Sequence, residues 1–262
     1  MSGTGPNRHP DAQLSAALDA WSHWDLALTG RPQVVDAVKG GRTNRSFRMT
    51  GPGLDEDLLL RLNHPDPASL GIDRTMEREI LRRTAAAGIS RPCLYWDPDD
   101  HFVVFPWLEA RTWGDADLAS PSQRARLRAL LARLGEITLD CPRRDYQAYL
   151  LGYWRQLEQA GATDPELTRR WRKFQPRLHE FAQAPWPTRL VHHDLIPANV
   201  LESGGRLYLI DWEYAAPGHP DIDVWTIEPS VVCEPFIAEL MDWINTLWER
   251  LVDLQAQYSR ST

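Results

Sequence analysis

The chain has 262 residues, of which 43% are hydrophobic and 25% charged, and a net charge of −7. These values exclude a disordered or collagen-like chain, and no run approaches the roughly 18 unbroken apolar residues of a membrane span. The excess of 36 acidic over 29 basic residues argues against nucleic acid as a partner, since its binders carry a basic footprint, and suits a cationic small substrate better. The opening stretch MSGTGPNRHPDAQ holds no apolar signal core, so the chain is expected to act in the cytoplasm, with no membrane partner. Cys93, Cys141 and Cys233 are odd in number and far apart, which reads as reduced thiols rather than a disulfide frame or a zinc site.

Leu14, Leu18, Trp21 and Leu28 recur at helical spacing and predict a short amphipathic helix. From Gln33 to Leu62 the pattern changes to short strands. Val34, Val35 and Val38 lead into Lys39-Gly40-Gly41-Arg42-Thr43-Asn44, residues 45–50 return, and Gly51-Pro52-Gly53 makes a turn. Residues 58–62 form a buried-strand candidate that carries one charge, Arg61. Residues 73–88 read as a helix stopped by Gly88, and 102–105 as a strand broken by Pro106. The rest is helical. Ser120-Pro121-Ser122-Gln123 reads as a capping box with proline at the first helical position, followed by the stripe Leu127, Leu130, Leu131, Leu134 and Ile137. Asp164-Pro165 opens a helix carrying Leu167, Trp171, Phe174 and Leu178, and Phe236, Leu240, Ile244, Leu247, Leu251 and Leu254 mark a last one. The expected division is therefore residues 1–106, rich in strands, and 107–262, rich in helices, with a crevice between two lobes as the natural place for a ligand.

The segment His192-His193-Asp194-Leu195-Ile196-Pro197-Ala198-Asn199-Val200-Leu201, followed by Leu209-Ile210-Asp211-Trp212-Glu213, carries the chemistry. Residues 200–201 and 207–210 are strand-like, and Ser203-Gly204-Gly205 is a turn. A hairpin there sets Asn199 beside Asp211, because neighbouring strands lie about 4.8 Å apart. Two such oxygen ligands suit Mg²⁺, which takes one or two protein oxygens and completes its shell with water and substrate phosphates. Asp194 is placed to take a proton from a substrate hydroxyl, and His192 to brace the loop through backbone.

These strings resemble the catalytic loop and metal-binding motif of protein kinases, H-R-D-L-x-x-x-N followed by D-F-G. They are more similar to the aminoglycoside phosphotransferase and choline kinase family, and among these to choline and thiamine kinases, whose I-D-[FW]-E-Y-A matches Ile210-Asp211-Trp212-Glu213-Tyr214-Ala215. Gly218-His219-Pro220 and Asp223 continue the likeness, and Gly40-Gly41-Arg42-Thr43-Asn44 resembles the family's G-G-x-T-N nucleotide loop. The resemblance implies an α+β, bilobal protein-kinase-like fold with a small antiparallel-sheet N-lobe and a larger, mainly helical C-lobe. It implies ATP and Mg²⁺ as cofactors. Gly40, Gly41, Thr43, Asn44 and Arg61 would hold the nucleotide, with Arg61 in place of the kinase lysine. Arg74-Thr75-Met76-Glu77 resembles the family's R-x-x-E, so Glu77 would pair with Arg61, with Glu79 as a competing candidate. Phe105 and Trp107 fall at the hinge that binds adenine.

The implied activity is transfer of a phosphoryl group from ATP to a hydroxyl of a small, cationic metabolite, with thiamine first and choline second. Trp225, Glu213, Asp221 and Asp223 are candidates for binding that cation. A packing role for Tyr214 and Trp225 and a bracing role for Asp223 stay open, and nothing in the sequence sets the oligomeric state. Aminoglycoside or sugar phosphotransferase activity is the alternative within the family. Outside it stand a non-catalytic nucleotide-binding module and a metal-dependent hydrolase built on His192, His193 and Asp194, with His219 as the nearest further histidine.

Overall fold

The computed structural model describes residues 10–41 and 43–261. Arg42, inside the glycine loop, lies outside them. Chain order is α1 (Pro10–Asp19), β1 (Gln33–Val38), β2 (Arg45–Thr50), β3 (Leu58–Leu62), α2 (Arg74–Ala86), β4 (Tyr95–Trp96), β5 (Phe102–Pro106), β6 (Arg111–Thr112), α3 (Asp115–Ala119), α4 (Pro121–Gly135), α5 (Tyr146–Gln159), α6 (Pro165–Gln183), β7 (Arg189–Val191), β8 (Val200–Ser203), β9 (Arg206–Leu209), β10 (Ala216–Gly218), α7 (Asp221–Ile227) and α8 (Phe236–Ser261). The chain divides into two compact units. One comprises Met1–Pro67, Leu81–Arg111 and Leu201–Ile210, the other Ala68–Ile80, Thr112–Val200 and Asp211–Thr262. The fold is α+β and protein-kinase-like.

The first unit is built on an antiparallel sheet in the order β1-β2-β3-β5-β4. Side chains alternate between sheet faces, and this explains the charge inside the apolar run of β3. Leu58, Leu60 and Leu62 enter a core with Met49, Phe102, Val104 and Trp24, and Arg61 falls on the opposite face, paired across the sheet with Ser46 and Val103. Leu18 joins this core from α1, but that helix ends at Asp19 and continues as a 3-10 turn over Ala20–His23. Leu28 therefore packs from a loop rather than from the expected helix.

The second unit holds the larger core. Leu167, Trp171, Phe174, Leu178 and Phe181 of α6 are all buried, at helical spacing that places them on one face. Trp171 stacks on Trp154 of α5 at 4.8 Å and meets Trp243 of α8 at 5.2 Å. Each such side chain removed from water contributes about 1.5–3 kcal/mol, so most of the tryptophans serve packing. Asp164 caps α6 by accepting the N–H of Leu167 at 2.8 Å. The capping box expected at α4 does not form: Ser120 sits at the N-cap position, but its hydroxyl bonds the Ser122 hydroxyl at 3.0 Å instead of a backbone N–H. The competing side chain two residues on wins that oxygen. β7 pairs with β10, Val191 opposite Ala216 and Leu190 opposite Pro217, and this two-stranded ribbon delivers the chain to His192. Among the described residues, no helix is long and apolar enough to cross a membrane.

Candidate active site

The loop after β7 is held by one buried carboxylate. Asp223, on the first turn of α7, accepts the backbone N–H of His192 at 2.8 Å and that of His193 at 3.0 Å. Burial pushes its carboxyl up to about 7, against the pull of these two donors. Both oxygens are taken inside the protein, which is a different placement from the cation contact expected of Asp223. His192 is fully buried, with its ring 4.8 Å from that of Trp212.

His193 has φ +65°, a left-handed conformation uncommon outside glycine. It persists because three contacts hold it. Its N–H goes to Asp223, its Nδ1 lies 3.2 Å from the carbonyl of Val191, and its Nε2 lies 2.9 Å from the Tyr146 hydroxyl. A carbonyl only accepts, so Nδ1 carries the proton and Nε2 accepts from Tyr146. The Tyr146 oxygen in turn accepts the N–H of His219 at 3.1 Å. Burial first, and then the Arg144 charge, hold the imidazole pKa well below its usual value, so the ring stays neutral. Gly218 closes the network: a Cβ there would lie 2.4 Å from the Tyr146 hydroxyl and 2.8 Å from the His193 ring. No described group of three or more ligands includes His192, His193 or His219, so the hydrolase alternative has no metal cluster to stand on.

Asp194 follows, half-buried. Burial raises its pKa to about 6, the Asn199 amide opposes the rise, and the charge of Glu213 adds to it. Asn199 lies on a 3-10 turn over Pro197–Asn199 that sets its side chain back onto the loop. Its Nδ2 donates to the Asp194 carbonyl at 2.8 Å and to Asp194 Oδ2 at 3.0 Å. Both partners are acceptors, so the amide orientation is unambiguous, and the amide oxygen is the end left for a ligand. β8 and β9 form the expected hairpin, turning through Gly204 and Gly205 with φ +55° and +72°, as a two-residue loop that matches strand twist requires. Asn199 and Asp211 flank it. Asp211 has φ +63°, a conformation aspartate tolerates better than most residues, and it turns the chain out of β9. An amide oxygen and a carboxylate are hard oxygen donors, and this set fits Mg²⁺.

Glu213 is buried and reaches Arg74 Nη1 at 3.2 Å, while the same nitrogen binds Glu77 Oε2 at 2.6 Å. Glu77 is 1% exposed, whereas Glu79 is half-exposed. Arg74 opens the R-x-x-E string, but the sequence assigned it no partner; its spacing three residues before Glu77 on one helix face was the available signal. Asp221 accepts the N–H groups of Cys233 at 3.2 Å and Glu234 at 3.1 Å. Trp225 packs against the large core.

In the first unit, Gly40 and Gly41 make the turn between β1 and β2. Gly40 has φ +116°, and a Cβ on Gly41 would lie 2.4 Å from the Asn44 carbonyl, so the loop needs glycine for its tightness. Thr43 lies on the same turn, and the Asn44 side chain accepts the N–H of His64 at 3.1 Å. Arg61 is 7% exposed; its Nε donates to Asn63 at 3.0 Å and its guanidinium lies 6.0 Å from the Phe105 ring centroid. The Trp107 N–H is spent on the Asp57 carbonyl at 2.9 Å, so any reading of adenine at this position falls to other backbone groups.

The sequence profile of the Phosphotransferase enzyme family matches residues 34–255. No curated protein sequence matches the chain. Among solved structures, it is similar to a choline/ethanolamine kinase family protein from Mesorhizobium loti, with 20% identity, 95% of this chain and 88% of that chain covered, and a TM-score of 0.64. It is similar to choline kinase LicA from Streptococcus pneumoniae, with 20% identity, 86% and 88% covered, and a TM-score of 0.66. It is also similar to a thermostable mutant of an aminoglycoside phosphotransferase in complex with AMP-PNP and hygromycin B, with 17% identity, 91% and 93% covered, and a TM-score of 0.64.

Proposed function

Since the chain belongs to the phosphotransferase enzyme family, we propose that it moves the terminal phosphoryl group of ATP to a hydroxyl of a small metabolite. The observation that carries this reading is the Asn199 side chain, which clamps Asp194 with its amide nitrogen and keeps its amide oxygen for a ligand. Asp194 orients the acceptor hydroxyl and receives its proton. The acceptor oxygen forms a bond to the terminal phosphorus as the bond from that phosphorus to the bridging oxygen breaks, and ADP leaves. Asp223 fixes the loop so that Asp194 is already in place when the hydroxyl arrives. Mg²⁺, held by Asn199 and Asp211, would supply neutralisation of the phosphate charge. Gly40, Gly41, Thr43, Asn44 and Arg61 are the groups proposed to bind the phosphates, and Phe105 and Trp107 mark the adenine position.

Thiamine and choline are the acceptors that the sequence resemblance implies, and the names of the similar choline and ethanolamine kinases support choline. The test is incubation with Mg·ATP and an acceptor panel, with products read by mass. Phosphorylated product that disappears in Asp194→Ala is expected. Full turnover by Asp194→Ala would sink the mechanism, and the absence of both nucleotide binding and product would sink the reaction class.

A further inference from the structure

Asp211 is kept for Mg²⁺, and the four acids that follow it up to residue 228 are spent inside the protein. Glu213 is neutralised by Arg74, Asp221 and Asp223 hold backbone N–H groups, and Glu228 pairs with Arg128 and, at 3.9 Å, with Arg124. A cation beside them is not spent. Arg144, just before α5, donates Nη2 to the Tyr214 carbonyl at 2.8 Å and rests over the Tyr149 ring, 4.6 Å from its centroid. Among the described residues it makes no ion pair with a carboxylate. A half-buried guanidinium without an anionic partner is uncommon, because a charge leaving water calls for compensation.

Its position is close to the chemistry. Tyr146, two residues on, holds the His193 ring, and His193 precedes Asp194. Arg144 also reaches the segment that follows Asp211, through the Tyr214 carbonyl. The hydroxyl network sorts donors from acceptors on this wall. Tyr153 donates to the Leu70 carbonyl at 2.6 Å, so it accepts from Tyr149 at 2.6 Å, and the Tyr149 proton is used. The Tyr214 oxygen accepts from Trp248 Nε1 at 2.8 Å, so its own proton remains to donate. Arg144 therefore keeps guanidinium N–H groups beyond the one bound to Tyr214, and the Tyr149 face that could receive a cation is already covered by it.

We propose that the acceptor carries an anionic group, carboxylate or phosphate, that binds Arg144 while its hydroxyl meets Asp194. This rests on the phosphotransfer reading and replaces its cationic acceptors. A planar guanidinium matches a carboxylate or phosphate with two parallel hydrogen bonds, whereas it repels a quaternary ammonium.

The test compares glycolate with ethylene glycol, and D-glycerate and glycerol 3-phosphate with glycerol, and includes ethanolamine, choline and thiamine as cationic acceptors, all with Mg·ATP. The expected result is kcat/KM at least about tenfold higher for an anionic acceptor than for its uncharged match. Arg144→Gln should erase that preference through the acceptor KM, with kcat and the ATP KM held, and Arg144→Lys should restore part of it. Glycolate and D-glycerate against glycerol 3-phosphate separate the two anion types. Choline, thiamine or ethanolamine turned over as well as the anions would overturn the inference and leave the kinase reading standing. So would an anion preference that survives in folded Arg144→Gln, or no anionic product at all. Loss of Mg·ATP binding as well would remove the kinase reading too.

Discussion

Arg74 and Glu213 lie 139 residues apart in the chain and meet at 3.2 Å, both buried. Arg74 also binds Glu77 at 2.6 Å, so one guanidinium ties the start of α2 to the residue two beyond Asp211. Removing one partner of a buried ion pair strands the rest and costs about 3–5 kcal/mol. Arg74→Met is expected to lower the thermal midpoint clearly, and thermal unfolding followed by circular dichroism checks it. A midpoint unchanged from wild type would show that the three charges are solvated in solution.

Asp194→Asn keeps the size of the side chain and the contact with Asn199 but removes the base. General-base catalysis supplies about 10²–10⁴-fold. Steady-state kinetics with the identified acceptor should show kcat reduced on that scale, with nucleotide affinity held within a factor of about two.

Chelation should abolish turnover, and added Mg²⁺ should restore it. Asn199→Ala should raise the Mg²⁺ concentration for half-maximal rate by about tenfold or more, since groups that hold or orient a metal are worth factors of 10–100. A titration of rate against free Mg²⁺ separates this effect from a simple loss of kcat.

Asp223 gives a dependence of stability on pH. Its folded pKa is about 7, raised by burial above the unfolded 3.8. The folded state then binds more protons between these values, so the contribution is full below about 3.8 and is lost as pH rises through 7. Asp223→Asn lacks this titration, and an amide oxygen serves only part of the two N–H groups. The stability advantage of wild type over Asp223→Asn is therefore expected to be widest near pH 4 and to narrow through pH 7. Paired urea melts across that range check it, and an advantage that widens with pH would contradict the assigned shift.

Gly218→Ala places a methyl 2.4 Å from the Tyr146 hydroxyl. Overpacking a tight site costs about 1–3 kcal/mol, and the displaced Tyr146 would release His193. Reduced stability together with reduced kcat is expected, read by melting and by turnover on the same preparation.

Much of this protein is legible without coordinates. The spacing of Leu167, Trp171, Phe174 and Leu178 marks a helix face, the apolar run 58–62 marks a buried strand, and Ser203-Gly204-Gly205 marks the hairpin turn between Asn199 and Asp211. These follow from short-range backbone geometry, which residue type and period control directly. Where two local interactions compete, as for the Ser120 hydroxyl, the sequence alone chooses the wrong partner. Only the tertiary structure decides which carboxylates remain for a ligand. Glu213, Asp221 and Asp223 read as a cluster of anions for a cationic substrate, yet each is taken by a guanidinium or by backbone N–H groups, while Arg144 meets a carbonyl and a ring instead of a carboxylate. Such assignments join residues up to 139 positions apart, and a buried charge takes whichever partner packing brings within hydrogen-bonding distance, a choice no local pattern encodes.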